Sequence, residues 1–362
     1  MSCSDTVIAN STGMGNVATG PLTVDPRQTI RWAYAFLLGR EPENEAIIDQ
    51  HLRYEGGATL DALRQRLIFS DEFLSSIRQA GLLSTTVSVG PLEGMLGEPP
   101  IGEAGFFTDR FGVRTRTRYL PPLYEAYSGK VGSPDGKLDM PVHEPEELNA
   151  LLRSVAEAKK QFTALELGAG WGPWIVLGAF LARRRGLHAA LMGVEGSSDH
   201  VDFMRTHMAD NGFDPASHQI VHAVVGSRDV VAYFPKLPDP SGDWGAQANY
   251  DAERPDENEM EEVACLSLHT LLGRMPVVDF LHCDVQGAEA EVIEAAIESV
   301  NQRVRRTCIG THSRGIEAKL LDLMTAQGWV LEHEKACRFN QDGTKLVLTA
   351  DGVQVWRNPR AL

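Results

Sequence analysis

The residues best suited to chemistry begin in the stretch Phe162 to Gly186, "FTALELGAGWGPWIVLGAFLARRRG". Gly168, Gly170 and Gly172 stand at alternate positions, closing an apolar run and opening a helical pattern. Such a turn lets a backbone approach a nucleotide-like ligand closely. The dinucleotide fingerprint G-x-G-x-x-G needs a third glycine where this chain has Pro173, and no G-K-[ST] follows to make a P-loop. What remains is E-x-G-x-G-x-G, with Glu166 two residues before the first glycine. A carboxylate there would repel a pyrophosphate but suits a ligand carrying an ammonium group. S-adenosylmethionine carries one, and its carboxylate can take free N–H groups at the helix start. The expected cofactor contacts are therefore Glu166, Gly168, Ala169, Gly170 and Gly172.

Two further strand ends carry acids. "LMGVEG" places Glu195, followed by Gly196, where a nucleoside's ribose hydroxyls would be received. The alternative is that Glu195 caps the next helix, although Ser197 or Ser198 could do that. In "VVDFLHCDVQGAEAEVIEAA", Asp284 ends an apolar strand and should reach the ligand crevice, where it is expected to touch the cofactor and to serve catalysis by orienting His312, binding an acceptor hydroxyl or holding a metal. Gly287 allows the tight turn, and Glu289 begins the next helix. His312, in "IGTHSR", should open into the same crevice and is the expected general base, its ordinary pKa of ~6.5 matching proton removal near neutrality. Arg314 is a candidate for substrate binding, against a surface salt bridge. Glu289 is a second candidate and Trp244, as a sugar-stacking ring, a third. Asp284, Glu289 and His312 could also hold Mg²⁺ or Mn²⁺. His282 shares the strand face of Asp284 and reads as a buried, hydrogen-bonded histidine.

These residues need a scaffold, and the chain supplies the pattern of one. From Phe162 onward the apolar runs "FTALELG", "HAALMGVEG", "QIVHAVVG", "VVDFLHCDV" and "RTCIGTH" alternate with helical segments such as "DHVDFMRTHMADNG", "AEAEVIEAAIESV" and "GIEAKLLDLMTAQG". This predicts an α/β fold: a doubly wound, mostly parallel, Rossmann-like sheet with ligands at the carboxyl ends of its strands. "WVLEHEKACRF" and "GVQVWRN", with no helix between them, predict a closing antiparallel hairpin. The expected divisions are a disordered tail at 1–24, a small all-helical module at 25–81, a connector with short strands at 82–145, and the catalytic domain at 146–362. The segment "FPKLPDPSGDWGAQANYDAERPDENEMEE" reads as a long loop of the kind that forms lids.

"ELGAGWGPW", "DVQGAE" and "IGTHSRGIEAKLLDLMTAQGW" together resemble the FkbM family of S-adenosylmethionine-dependent O-methyltransferases, over about Asp109 to Asn358. The family's D-x-E-G-x-E hallmark has Gln286 in place of the middle glutamate. The resemblance implies a methyltransferase sheet and methylation of hydroxyls on sugars, glycans or polyketides. "LLGREP…SDEF" is similar to a small bacterial helical domain of unknown function, which can fold alone and serve docking or dimerisation.

The formal charge of −15 disfavours extended contact with nucleic acid or anionic lipid. No apolar run approaches the ~18 residues of a membrane span, and the first residues do not form a signal peptide. The five cysteines include no C-x-x-C pair, so a cytoplasmic, reducing setting is expected. The sequence therefore points to an O-methyltransferase acting on a small-molecule or glycan substrate. Two rivals remain: a non-catalytic binder of the same cofactor, and a nicotinamide-dependent oxidoreductase, which Pro173 and Glu166 disfavour.

Overall fold

A computed structural model describes residues 25–38, 40–53, 63, 66–67, 70, 95, 100–132, 144–250, 256 and 258–360. The expected tail at 1–24, most of the third helix of the N-terminal module and much of the connector lie outside the described residues. The chain divides into two compact units, Met1–Thr86 and Val87–Leu362.

In the first unit, α1 (Pro26–Leu38) starts at Asp25, whose side chain accepts the Arg27 N–H, with Pro26 in the first turn. α2 (Glu45–Arg53) lies against it. Ile30, Tyr34 and Ile48 form a small core with Leu63 and Leu67, and the Tyr34 hydroxyl meets His51 Nε2 at 2.9 Å. The unit has an apolar centre of its own, as the sequence pattern requires.

The second unit opens with the connector's antiparallel pair, β1 (Phe106–Thr108) and β2 (Arg114–Arg116). α3 (Pro145–Glu157) then leads into the alternating region: β3 (Gln161–Leu167), α4 (Pro173–Arg184), β4 (His188–Glu195), α5 (Ser198–Asp210) and β5 (Gln219–His222). The Arg116 guanidinium grips both Asp210 oxygens on α5, at 2.6 and 2.8 Å, which ties the connector to the domain as expected.

"QIVHAVVG" does not make one strand. β5 ends at His222, and β6 (Val224–Gly226) joins β7 (Val230–Pro235) and β8 (Met260–Ser267) in a separate sheet of order β6-β8-β7. The Ala223 N–H is drawn to the Glu195 carbonyl at 2.9 Å, which turns the chain at that point. α6 (Leu268–Gly273) precedes β9 (Phe280–Cys283). The helix expected after it is two, α7 (Glu289–Ala295) and α8 (Ile297–Arg303), broken at Ala296. β10 (Arg306–Thr311), α9 (Arg314–Ala326) and β11 (Val330–Lys335) follow. An unforeseen hairpin, β12 (Arg338–Asp342) with β13 (Lys345–Ala350), precedes β14 (Gly352–Arg357).

The central sheet has the order β11-β14-β10-β9-β3-β4-β5. β5, β4, β3, β9 and β10 run parallel, while β14 is antiparallel to both β10 and β11. β3 lies mid-sheet and is buried from Phe162 to Leu167, which explains its unbroken apolar run. One face packs Phe162 and Phe280 under α3, α4 and α5; the other packs Leu165, Leu281, Ile309 and Trp356 under α6 to α9. The parallel ends of β3, β4, β9 and β10 therefore open on one edge. Among the described residues, no helix is long and apolar enough to cross a membrane.

Candidate active site

At that edge lies a cavity of about 510 Å³, and most of the residues singled out from the sequence line it. β3 delivers Glu166 and then the glycine loop, whose backbone is left-handed at Gly168, Gly170 and Gly172. Gly168 cannot be replaced: a Cβ there would sit 1.8 Å from the Asp284 carbonyl oxygen. The loop thus seats itself directly on the end of β9, and Ala169 and Gly170 form the cavity's floor beside Glu195 and Gly196.

The two cofactor acids carry more structural duty than expected. Glu166 is 1% exposed, and its carboxylate accepts the N–H groups of Ile175 (3.0 Å) and Trp174 (3.4 Å). It caps α4, so the helix-start N–H groups expected to receive a ligand's carboxylate are already taken. Burial pushes Glu166 up to about 7 against the pull of His282 and these N–H groups. Glu195 accepts Gly170 N–H with one oxygen and Ser197 N–H with the other, both at 2.8 Å. It ties the loop to the end of β4 while still lining the cavity, and Ser197, as weighed above, caps α5.

On the far side stands a chain of three groups. Glu289 is fully buried, and one oxygen accepts N–H groups of Val285 (3.2 Å) and Gly287 (2.9 Å) together with His312 Nδ1 (2.8 Å). His312 Nε2 lies 3.4 Å from an Asp284 oxygen and 3.8 Å from one of Asp351. Asp284 lines the cavity and also accepts from the Gln286 amide at 2.8 Å. Gln286 itself has a left-handed backbone, φ 54°, in the tight turn with Gly287.

The electrostatics reverse the expected roles. Burial lowers His312, but its hydrogen bond to Glu289 and the charges of Asp284, Glu289 and Asp351 outweigh that and hold it at about 9. At neutral pH the ring is an imidazolium with no lone pair to accept a proton, and it does not line the cavity. Asp284 is raised by burial to about 6, with His312 and His282 restraining the rise. The carboxylate, not the imidazole, is therefore the group poised to take a proton near neutrality.

Two substrate candidates are also corrected. Glu289 is sealed behind His312 and cannot touch a ligand. Arg314 lies outside the cavity with a 60% exposed side chain, paired to Glu317 at 3.0 Å, which is the surface salt bridge weighed against it. Trp244 does line the cavity. It stacks flat on His200, with centroids 4.1 Å apart, and meets Trp171 edge-on at 4.6 Å. Its indole N–H also bonds the Ser241 carbonyl, so the ring anchors its own loop as well. With Asp243 and Tyr250, that loop makes one wall of the cavity. Asp284, Glu289 and His312 bring one ligand atom each within 4.8 Å of one another, a donor set that a hard divalent cation could use.

Sequence reasoning missed one pair. Glu147, on α3, lines the cavity and meets His282 Nε2 at 3.0 Å. Burial lowers His282, but the hydrogen bond and charge of Glu147 prevail and raise it above its ordinary value. His282 is the buried, hydrogen-bonded histidine expected, yet it also faces the ligand space. Its position two residues before Asp284 signalled that; nothing in the sequence signalled Glu147, 135 residues away.

No family model matches the chain. A protein named as a methyltransferase in Jannaschia sp. (strain CCS1) is 33% identical over 263 residues, covering 70% of this chain and 93% of that protein. Among solved structures, the precorrin-6Y C5,15-methyltransferase of Geobacter metallireducens GS-15 aligns over 61% of this chain and 92% of its own, with a TM-score of 0.34 and 11% identity. The C-terminal domain of the Rhodobacter capsulatus enzyme of that name aligns over 61% and 91%, with a TM-score of 0.35 and 12% identity. At these scores the superpositions carry no argument about site or substrate.

Proposed function

The chain belongs to the methyltransferases, and we propose that it transfers the methyl group of S-adenosylmethionine to a hydroxyl of a sugar or sugar-bearing small molecule. The carrying observation is Asp284: a carboxylate held near 6, lining the same cavity as the glycine loop and Glu195. An alcohol does not ionise near neutral pH, so its proton must leave as the new C–O bond forms. S-adenosylmethionine supplies an electrophilic methyl on a sulfonium centre.

The residues of this chain do the rest. The loop at Gly168–Gly172 and Glu195 hold the nucleoside end, and the loop's close seat on β9 fits that task. With the cofactor held there, an acceptor hydroxyl in the cavity would pass its proton to Asp284. His312, cationic and fixed by Glu289, keeps Asp284 ionised and oriented. It is a positioning residue. The resemblance of "ELGAGWGPW" and "DVQGAE" to FkbM enzymes supports oxygen as the acceptor atom.

Calorimetry with S-adenosylhomocysteine and with NAD tests the cofactor. Binding of the first and not the second is expected; the reverse would replace this reading with the oxidoreductase one. Binding without any turnover of hydroxylated acceptors would favour a non-catalytic binder.

A further inference from the structure

The cavity has a one-sided charge. Among the described residues, its lining includes the carboxylates of Glu147, Glu166, Glu195, Asp243, Asp284 and Asp351, and no lysine or arginine. The order of the strands divides this lining. Glu166, Glu195 and the glycine loop sit at the ends of β3 and β4, on the cofactor side. Asp284 follows β9 and Asp351 precedes β14, on the opposite side, where α3 also brings Glu147.

A cofactor with a sulfonium, an ammonium and a carboxylate brings one net positive charge, which leaves the far side uncompensated. His282 and His312 answer Glu147 and, in part, Asp284. Among the described residues no side chain donates a hydrogen bond to the Asp351 carboxylate, which lies 3.8 Å from His312 Nε2 and whose side chain is 57% exposed at the mouth. An anionic acceptor would meet this wall with only His282 and His312, both already paired to carboxylates, to offset the repulsion.

The cavity as a whole has aromatic walls. Tyr124, Trp171, Trp174 and Trp244 line it, and Trp171 and Trp244 meet edge-to-face at 4.6 Å. Aromatic faces beside carboxylates are the chemistry that recognises an organic cation, and the same faces suit the apolar face of a sugar ring. A second observation concerns hydroxyls. Trp171 and His282 line the cavity, and the Trp171 Nε1 and His282 Nδ1 atoms are buried with no hydrogen-bond partner among the described residues. Buried polar atoms without partners are uncommon, and a ligand oxygen would satisfy the indole N–H.

We propose that the acceptor is a positively charged amino alcohol of the amino-sugar class. Its amine lies among the carboxylates and aromatic faces, and its ring lies against the aromatic side chains. Acidic and nucleotide-linked sugars are excluded. This rests on the methyltransferase reading, because it uses the cofactor's charge and position.

The test uses the full chain loaded with S-adenosylhomocysteine, which permits binding without turnover. Glucosamine, glucose and glucuronate, one ring with three charges, are titrated at pH 7, where the amine is largely protonated and Asp284 is ionised. Glucosamine should bind about tenfold more tightly than glucose, glucuronate should bind more weakly than either, and the preference should shrink with added salt. Asp351→Lys, at an exposed position that tolerates the change, should narrow the gap between amine and acid. Failure of the homocysteine compound to bind would overturn the methyltransferase reading itself. If it binds but glucosamine shows no preference, or glucuronate binds as well, only the amine proposal falls.

Discussion

Replacing His312 with glutamine separates a positioning residue from a base. The substitution removes the cation 3.4 Å from Asp284 while keeping a donor for Glu289. Coulomb's law at that distance and an effective dielectric of ~20 gives about 5 kcal/mol. The Asp284 side chain is 33% exposed, so solvent and counterions take most of that, leaving ~1–2 pH units, or about 1.4–2.7 kcal/mol. Asp284 would move from about 6 to roughly 7–8. Its ionised form is the active one, so the acid limb of kcat should shift upward by the same amount. At neutral pH the ionised fraction falls from about nine-tenths to between one half and one tenth, and kcat with it, roughly 2–10-fold. Raising the pH should restore the rate. The wild type should keep its activity above about 9, where its imidazolium deprotonates, because Asp284 is ionised there with or without the cation. These limbs are properties of the coupled pair, read from initial rates of S-adenosylhomocysteine formation. A loss of roughly 10² to 10⁴ at every pH would refute this, because it would make the imidazole itself the proton acceptor.

Glu195→Ala should weaken S-adenosylhomocysteine binding by about 1–3 kcal/mol in calorimetry, through its hydroxyl contacts and its hold on Gly170; unchanged affinity would remove it from the site. Glu166 is raised on folding from 4.5 to about 7, so its contribution to stability is complete below about pH 4.5 and lost as pH rises through 7, some 3 kcal/mol in all. Glu166→Gln should flatten that fall between acid and mildly alkaline denaturation curves, and an unaltered slope would contradict the assignment. Because His312 already supplies a positive charge beside Asp284, turnover should survive EDTA. Activity lost to the chelator and restored by Mg²⁺ or Mn²⁺ would pass that role to a metal at Asp284, Glu289 and His312.

The sheet was legible because its strands are covered on both faces. "FTALEL" and "DFLHC" read as continuous apolar runs between amphipathic helices, and few other structures write that pattern. The final hairpin was legible from the missing helix. The division of "QIVHAVVG" between two sheets was not, because an apolar run does not name its partner strand: Gln219–His222 pairs with β4 and Val224–Gly226 with β8. Nor was the break at Ala296, since neither glycine nor proline marks the sequence between the two helices.

The site divides along a different line. Which residues meet was legible, since parallel strands deliver their ends to one edge, and Glu166, Glu195, Asp284 and His312 all stand at or just beyond strand ends. What each does there depends on charge and burial that sequence spacing does not encode. Glu166 and Glu195 turn their oxygens to backbone N–H groups because the tight loop brings those groups within reach. His312 suggests a base with an ordinary pKa until Glu289, reached through a turn 23 residues earlier, is seen at its Nδ1. With one carboxylate sealed behind it and another before it, the imidazole is held in its charged form. A cation so placed takes no proton from an acceptor. It lowers the proton affinity of the carboxylate it faces, and this makes Asp284 usable at neutral pH despite its burial.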